Sequence, residues 1–162
     1  MVDAERNINR LVGEWDLHLA FKLEDGSMGR GDGSATATSV SLGRGLLFVL
    51  KGNMEGIGDY EQNILVAYNQ ETELVHLFSV TSMGVVHAHT GRWMDEDNLT
   101  LQWSGTYDGR PATQNLIFTF KSEDEFIARQ EDWVEGNLRM SAQYNFRRSG
   151  RKKLEEPVPS VV

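Results

Sequence analysis

The chain changes its hydrophobic period once, near residue 13. Before that point Ile8, Leu11 and Val12 share one helical face, Asp3 is placed to cap a helix N-terminus, and Gly13 suits the position just past its end. After it the period becomes two. Trp15, Leu17, Leu19, Phe21 and Leu23 alternate with Glu14, Asp16, His18, Ala20 and Lys22, as in a strand with one face buried. Further β-like segments are expected at about 29–42, 45–54, 61–69, 73–82, 85–94, 98–107, 112–121, 126–134 and 137–147. The turn signals between them include Asp25-Gly26, Asp108-Gly109-Arg110-Pro111 and Glu135-Gly136. About ten strands with short connections and one short N-terminal helix predict an all-β protein. A single antiparallel up-and-down barrel removes the sheet edges that such a meander would otherwise expose. The domain is expected over residues 1–148, with residues 149–162, ending RKKLEEPVPSVV, as a disordered tail.

Gly13-Glu14-Trp15, opening the first strand after a short helix, resembles the calycin superfamily, which includes the lipocalins and the ten-stranded fatty-acid-binding proteins. The resemblance covers about residues 5–148. It implies that Trp15 packs at the barrel base against a basic residue of the last strand, a role that Arg147 or Arg148 can fill. Through MGVVHAHTGRW at 83–93 and GNMEG at 52–56, the chain is similar in particular to an uncharacterised lipocalin-like bacterial family. That similarity implies a fold and no established activity. The helix-turn-helix lid of lipid-carrying barrels is missing between the first two strands.

The turns also predict which residues face inward. In the last strand Leu138, Met140, Ala142, Tyr144 and Phe146 form the apolar face. A two-residue turn at Glu135-Gly136 sets Met140 opposite Glu131 and Ala142 opposite Arg129, so Arg129, Glu131 and Trp133 are expected inside. A turn at Glu123-Asp124 places Phe118 opposite Arg129, in agreement. A four-residue loop at Asp108–Pro111 pairs Trp103 with Leu116 and Gly105 with Gln114. A three-residue loop at Asp95–Asp97 pairs His89 with Trp103. A Met83-Gly84 turn sets Phe78 opposite His89, which brings His76 inward, and a loop at Gln70–Thr72 brings Tyr68 inward opposite Leu74. The expected ligand-binding residues are therefore Arg129, Glu131, His76, His87, His89, Trp103, Gln114 and Tyr68.

Three functions suit such an interior. One is binding of a small amphipathic molecule, anionic if Arg129 anchors it through its planar fork. A second is acid–base chemistry of isomerase or hydratase type, with His87 or His89 and Glu131 as base and acid. A third, a metal held by His76, His87 and His89, is disfavoured because His76 faces Gly91 rather than either histidine. The plain alternative to all three is an Arg129–Glu131 pair that satisfies itself inside the wall. Nucleophilic hydrolysis is excluded: there is no cysteine and no serine in a nucleophile-elbow sequence.

Composition removes further classes. A net charge of −8 argues against nucleic acid as partner. The basic residues at 147–153 read as a solvated tail. No apolar run is long enough for a membrane span and the first residues do not form a secretion signal, so a cytoplasmic protein is expected. The glycines at 26, 29, 31 and 33 lack the Lys-Ser/Thr of a phosphate loop, and no motif calls for a cofactor. A small-molecule ligand is the expected partner, and a homodimer is compatible with the sequence.

Overall fold

The computed structural model describes residues 1–149, so the expectation for the tail falls largely outside the described residues. One helix, α1 (Ala4–Asn9), precedes ten strands: β1 (Gly13–Leu23), β2 (Met28–Val40), β3 (Gly45–Met54), β4 (Gly58–Asn69), β5 (Leu74–Thr81), β6 (Val86–Trp93), β7 (Asn98–Tyr107), β8 (Arg110–Ser122), β9 (Glu125–Val134) and β10 (Asn137–Arg148). Every strand pairs antiparallel with its sequence neighbour, and β1 pairs with β10, closing the barrel. The carboxylate of Asp3 caps α1 by accepting from the Arg6 amide at 3.0 Å. No helix among the described residues is long and apolar enough to cross a membrane.

The end of the barrel nearest α1 is tightly closed. Trp15 is fully buried there, and its indole donates to the Leu11 carbonyl at 2.8 Å. The Arg148 guanidinium lies 4.3 Å from the Trp15 ring centroid and donates to the carbonyls of Val12 (2.7 Å), Arg10 (2.9 Å) and Glu123 (2.8 Å). Arg148, not Arg147, is thus the basic partner of the tryptophan. Arg147 points outward, with its nearest carboxylate partner, Glu125, 3.9 Å away. Gly13 is required for this arrangement: it has φ +132°, and a β-carbon would stand 2.5 Å from an Arg148 nitrogen. Phe126 stacks on Phe146 at 4.3 Å and meets Trp15 edge-on, completing the floor.

The expected inner faces of β1, β6, β7, β8 and β10 are those observed, except that Leu138 of β10 lies outside opposite Trp133, but β9 and β5 are inverted. The Glu135-Gly136 turn forms as expected, with Leu138 opposite Trp133, yet Met140 then pairs with Asp132. Arg139 is the extra residue of a β-bulge, which shifts the register by one. A matching irregularity between Phe120 and Ser122 shifts β8 against β9. Phe126, Ala128, Gln130, Asp132 and Val134 consequently face inward, while Arg129, Glu131 and Trp133 face outward. In β5 the turn spans Ser82, Met83 and Gly84, one residue more than expected, with Thr81 and Val85 hydrogen-bonded across it. Leu77 therefore lies opposite His89 and Ser79 opposite His87, which turns His76 and Phe78 outward. The β4–β5 loop is also one residue longer, with Tyr68 opposite Val75, and these two changes cancel so that Tyr68 stays on the inner face. The β7–β8 turn is the two residues Asp108-Gly109, so Trp103 pairs with Gln114 and Gly105 with Ala112.

The junction at Arg148 generates a prediction. Arg148→Ala leaves backbone carbonyls without donors and bares one face of Trp15, and should lower stability by about 2–4 kcal/mol. Arg147→Ala, on the solvated face, should change it by no more than about 0.5 kcal/mol. Urea unfolding of both variants measures the contrast, and equal effects would mean that the guanidinium does not tie the chain ends together.

Candidate functional site

Between the closed floor and the far end, the side chains leave a cavity of about 70 Å³. Its wall is mainly aliphatic and aromatic, with Leu46, Phe48, Leu50, Ile64, Leu77, Leu116, Phe118 and Phe146 among the lining residues. The polar groups on it are Gln62, Ser79, His89, Gln114, Gln130 and Tyr144, and no lining residue is an acid, a lysine or an arginine. Such a wall can bury an apolar body and fix its orientation through a few polar atoms.

Those polar atoms form one network with a defined direction. His89, only 2% exposed, sits with Nε2 2.8 Å from the Gln114 carbonyl oxygen. The Gln114 amide donates to Asp132 Oδ1 at 2.7 Å. From the other side Gln130 donates to both Asp132 oxygens, at 3.0 and 3.2 Å, and its own carbonyl accepts from the Tyr144 hydroxyl at 3.1 Å. Asp132 is therefore the acceptor on which the donors converge. Turning the Gln114 amide over would set its carbonyl against a carboxylate oxygen, so Gln114 must accept from His89. His89 then carries its proton on Nε2. Its Nδ1 is a bare acceptor, buried and without a hydrogen-bond partner.

Burial dominates the electrostatics. It pushes the His89 imidazole down to about 4, although Gln114 opposes the shift. His87 is lowered by the same cause, and Asp132 is raised by burial against the amide donors that hold it ionised. The Tyr60 hydroxyl is pushed up to about 12, and the Tyr144 hydroxyl is raised as well. At neutral pH the two histidines are uncharged.

His87 and Trp103 lie beyond the cavity toward the open end, stacked at 3.9 Å between ring centroids. Gly105 makes the stack possible, because a β-carbon there would collide with the Trp103 ring. They flank a seam in the wall: the β6–β7 ladder runs only from Thr90–Gln102 to Trp93–Leu99. Nearby Arg139, projected by its bulge, lies over the Tyr107 ring at 3.6 Å and donates to its hydroxyl.

Of the expected site residues, the structure brings together His87, His89, Trp103 and Gln114. Tyr68 faces inward at the closed end, packed against the core below the polar network. His76 lies on the outer wall in a surface groove with Glu5, Arg44 and Gln70, so the three-histidine set does not form. Among the described residues no group of three or more His, Cys, Asp or Glu is arranged to hold a metal ion. Arg129 and Glu131 are exposed and contact Gln143 and Trp133 on the outer surface. Asp132 and Gln130 were missed, and Tyr144, expected on the inner face of β10, was not among the expected site residues. One signal could have found the two on β9: the face of Phe126, Ala128 and Val134 carries one charge, the other three, and a barrel interior favours the smaller number.

The histidine generates a prediction with a fixed sign. A group whose folded value lies below its unfolded value of 6.5 stabilises fully above that pH, and the contribution is lost as pH falls toward 4, because the unfolded chain takes the proton first. His87 acts in the same sense and Asp132 in the opposite one. Urea unfolding at about pH 7 and about pH 4.5 should show a smaller acid loss for His89→Gln than for the wild type, by on the order of 1–3 kcal/mol. Identical losses would place the titration elsewhere.

Solved structures share this architecture. Rv2717c from M. tuberculosis aligns with a TM-score of 0.68 at 12% identity, over 92% of this chain and 99% of that one. An S-type phycobiliprotein lyase from Guillardia theta gives 0.64 at 12%, over 91% and 93%. A de novo designed fluorescence-activating β-barrel gives 0.51 at 15%, over 92% and 100%. At these identities the likeness is one of fold. No curated protein matches the sequence. The family described as protein of unknown function, DUF1579, matches residues 3–148, and the chain belongs to that family.

Proposed function

We propose that the protein binds a small amphipathic molecule inside the barrel. The observation that carries this reading is the mainly apolar cavity that meets the His89–Gln114–Asp132 network. A wall built only for stability is better filled with hydrocarbon than with a buried polar chain. The phycobiliprotein lyase and the designed fluorescence-activating barrel share the fold, and a fold alone does not define a cargo. The Gly13–Trp15–Arg148 base supports the calycin resemblance and a carrier of that kind. His89 and Gln114 contact the ligand, while His87 and Trp103 cover it from the open end. An anion held by Arg129 has no support, because that side chain is outside.

The reading is tested by filling the cavity. One-ring fragments should raise the melting temperature of the wild type by mass action and leave Leu77→Trp, which places an indole in the cavity, unshifted. Shifts of equal size in both proteins would rule the interior out as the binding site.

One observation favours a second reading, acid–base turnover of the bound molecule. His87 and Asp132 are displaced toward each other's range, one down and one up, near the open end of the barrel. Asp132 takes the place of Glu131 as the interior carboxylate. If turnover occurs, Asp132→Asn should abolish solvent deuterium uptake into the bound ligand while its affinity falls by no more than a few-fold. Uptake that survives the substitution would count against any catalytic role for Asp132.

A further inference from the structure

We infer that the cavity selects neutral molecules with a small apolar body and one N–H or O–H donor, which is delivered to Nδ1 of His89. This deepens the binding reading and rests on it. The selection follows from the direction of the polar network. Gln114 and Gln130 each commit an amide N–H to Asp132, and His89 spends its Nε2 proton on Gln114. What remains at the histidine is the bare Nδ1, buried and without a partner. A buried acceptor left unpaired costs more than the pairing itself returns, so a ligand that supplies a donor gains twice.

Charge is selected against on both sides. An anion entering the cavity meets no Lys or Arg on the wall and has the Asp132 carboxylate behind Gln114. A cation finds no exposed carboxylate on the wall, because Asp132 already accepts from two amides and does not line the cavity. Either ion would lose its hydration without replacement. The Gln62 carboxamide and the Ser79 hydroxyl are neutral and can complement a further neutral polar atom. Size sets a further limit: about 70 Å³ is roughly half of the ~150 Å³ that admits benzene, so even a five-membered ring enters only as the wall side chains give way, and the smallest rings are the probes to use.

Pyrrole, furan, pyrrolidine and propionate separate the possibilities in the full-length protein. Pyrrole and furan are nearly isosteric, and only pyrrole donates. Pyrrolidine is cationic near neutral pH and propionate is anionic. Pyrrole should bind about tenfold more tightly than each of the others. In protein labelled with nitrogen-15 at histidine, it should move the Nδ1 resonance of His89 as that atom accepts a hydrogen bond. His89→Phe should erase the difference between pyrrole and furan, and the wild-type resonance decides the matter even if that variant folds poorly. Furan binding as tightly as pyrrole, or an unmoved Nδ1 resonance, would overturn this inference and leave the binding reading standing. Preference for propionate or pyrrolidine would overturn it as well. Failure of all four probes and of xenon to enter the cavity would sink the binding reading and the inference together.

Discussion

Everything inside this barrel depends on the contact between Arg148 and the segment before the first strand. The β1–β10 ladder joins residues from opposite ends of the domain, the pairing with the largest loop to close. Backbone hydrogen bonds define that ladder but do not seal the space below it. Arg148 does so by donating to carbonyls of Arg10, Val12 and Glu123 while its plane covers Trp15. The short Gly-x-Trp signal thereby acquires a cause. The glycine leaves room for the guanidinium, and the tryptophan supplies the flat apolar surface under it. With the floor fixed, Leu11, Leu46 and Phe146 can line a cavity rather than open to water.

The second constraint is that the barrel interior holds one ionisable carboxylate and must satisfy it. Asp132 is satisfied by carboxamides, not by a counter-ion. Amide donors neutralise it without bringing a second charge out of water, which avoids the desolvation that makes buried ion pairs poor stabilisers. Their carbonyls pass the polarity on, and the chain ends at a tyrosine hydroxyl and an imidazole. A network ordered in this way fixes the histidine tautomer without any direct contact between His89 and Asp132.

Period-two alternation, Gly13-Glu14-Trp15 and the turn signals made the fold legible, because each is a local property of the chain. The cavity was half legible. His87, His89, Trp103 and Gln114 were placed by loop lengths whose parity held: the β6–β7 loop formed as expected, and the β7–β8 turn was shorter by two residues, which leaves the faces unchanged. Strand β9 was misread although two hairpins agreed on it. Both turns were placed correctly, yet the bulge at Arg139 and the irregularity near Lys121 each moved the register by one, in compensating fashion. Agreement between neighbouring hairpins tests parity only if neither contains a bulge, and a bulge leaves no local mark in a strand of mixed polar residues. In β5 a single extra turn residue, Ser82, exchanged His76 and Phe78 for Leu77 and Ser79.

Those single-residue shifts change the chemistry, not merely the bookkeeping of faces. Read in one phase, β9 offers the interior an arginine and a glutamate, and the barrel becomes an anion receptor. In the phase it adopts, it offers Gln130 and Asp132, the arrangement on which the proposed preference for a donor rests. The outer set has no need of a ligand: Glu131 accepts from Trp133 at 3.3 Å and Arg129 donates to Gln143 at 3.4 Å, all on a hydrated surface where such contacts cost and return little. The inner set cannot be hydrated in the same way, so its unpaired atom carries consequences that an exposed one does not. Among the described histidines, only His89 combines burial with a nitrogen that no protein group satisfies, and the proposed selectivity follows from that combination and from the tautomer that Asp132 sets through Gln114.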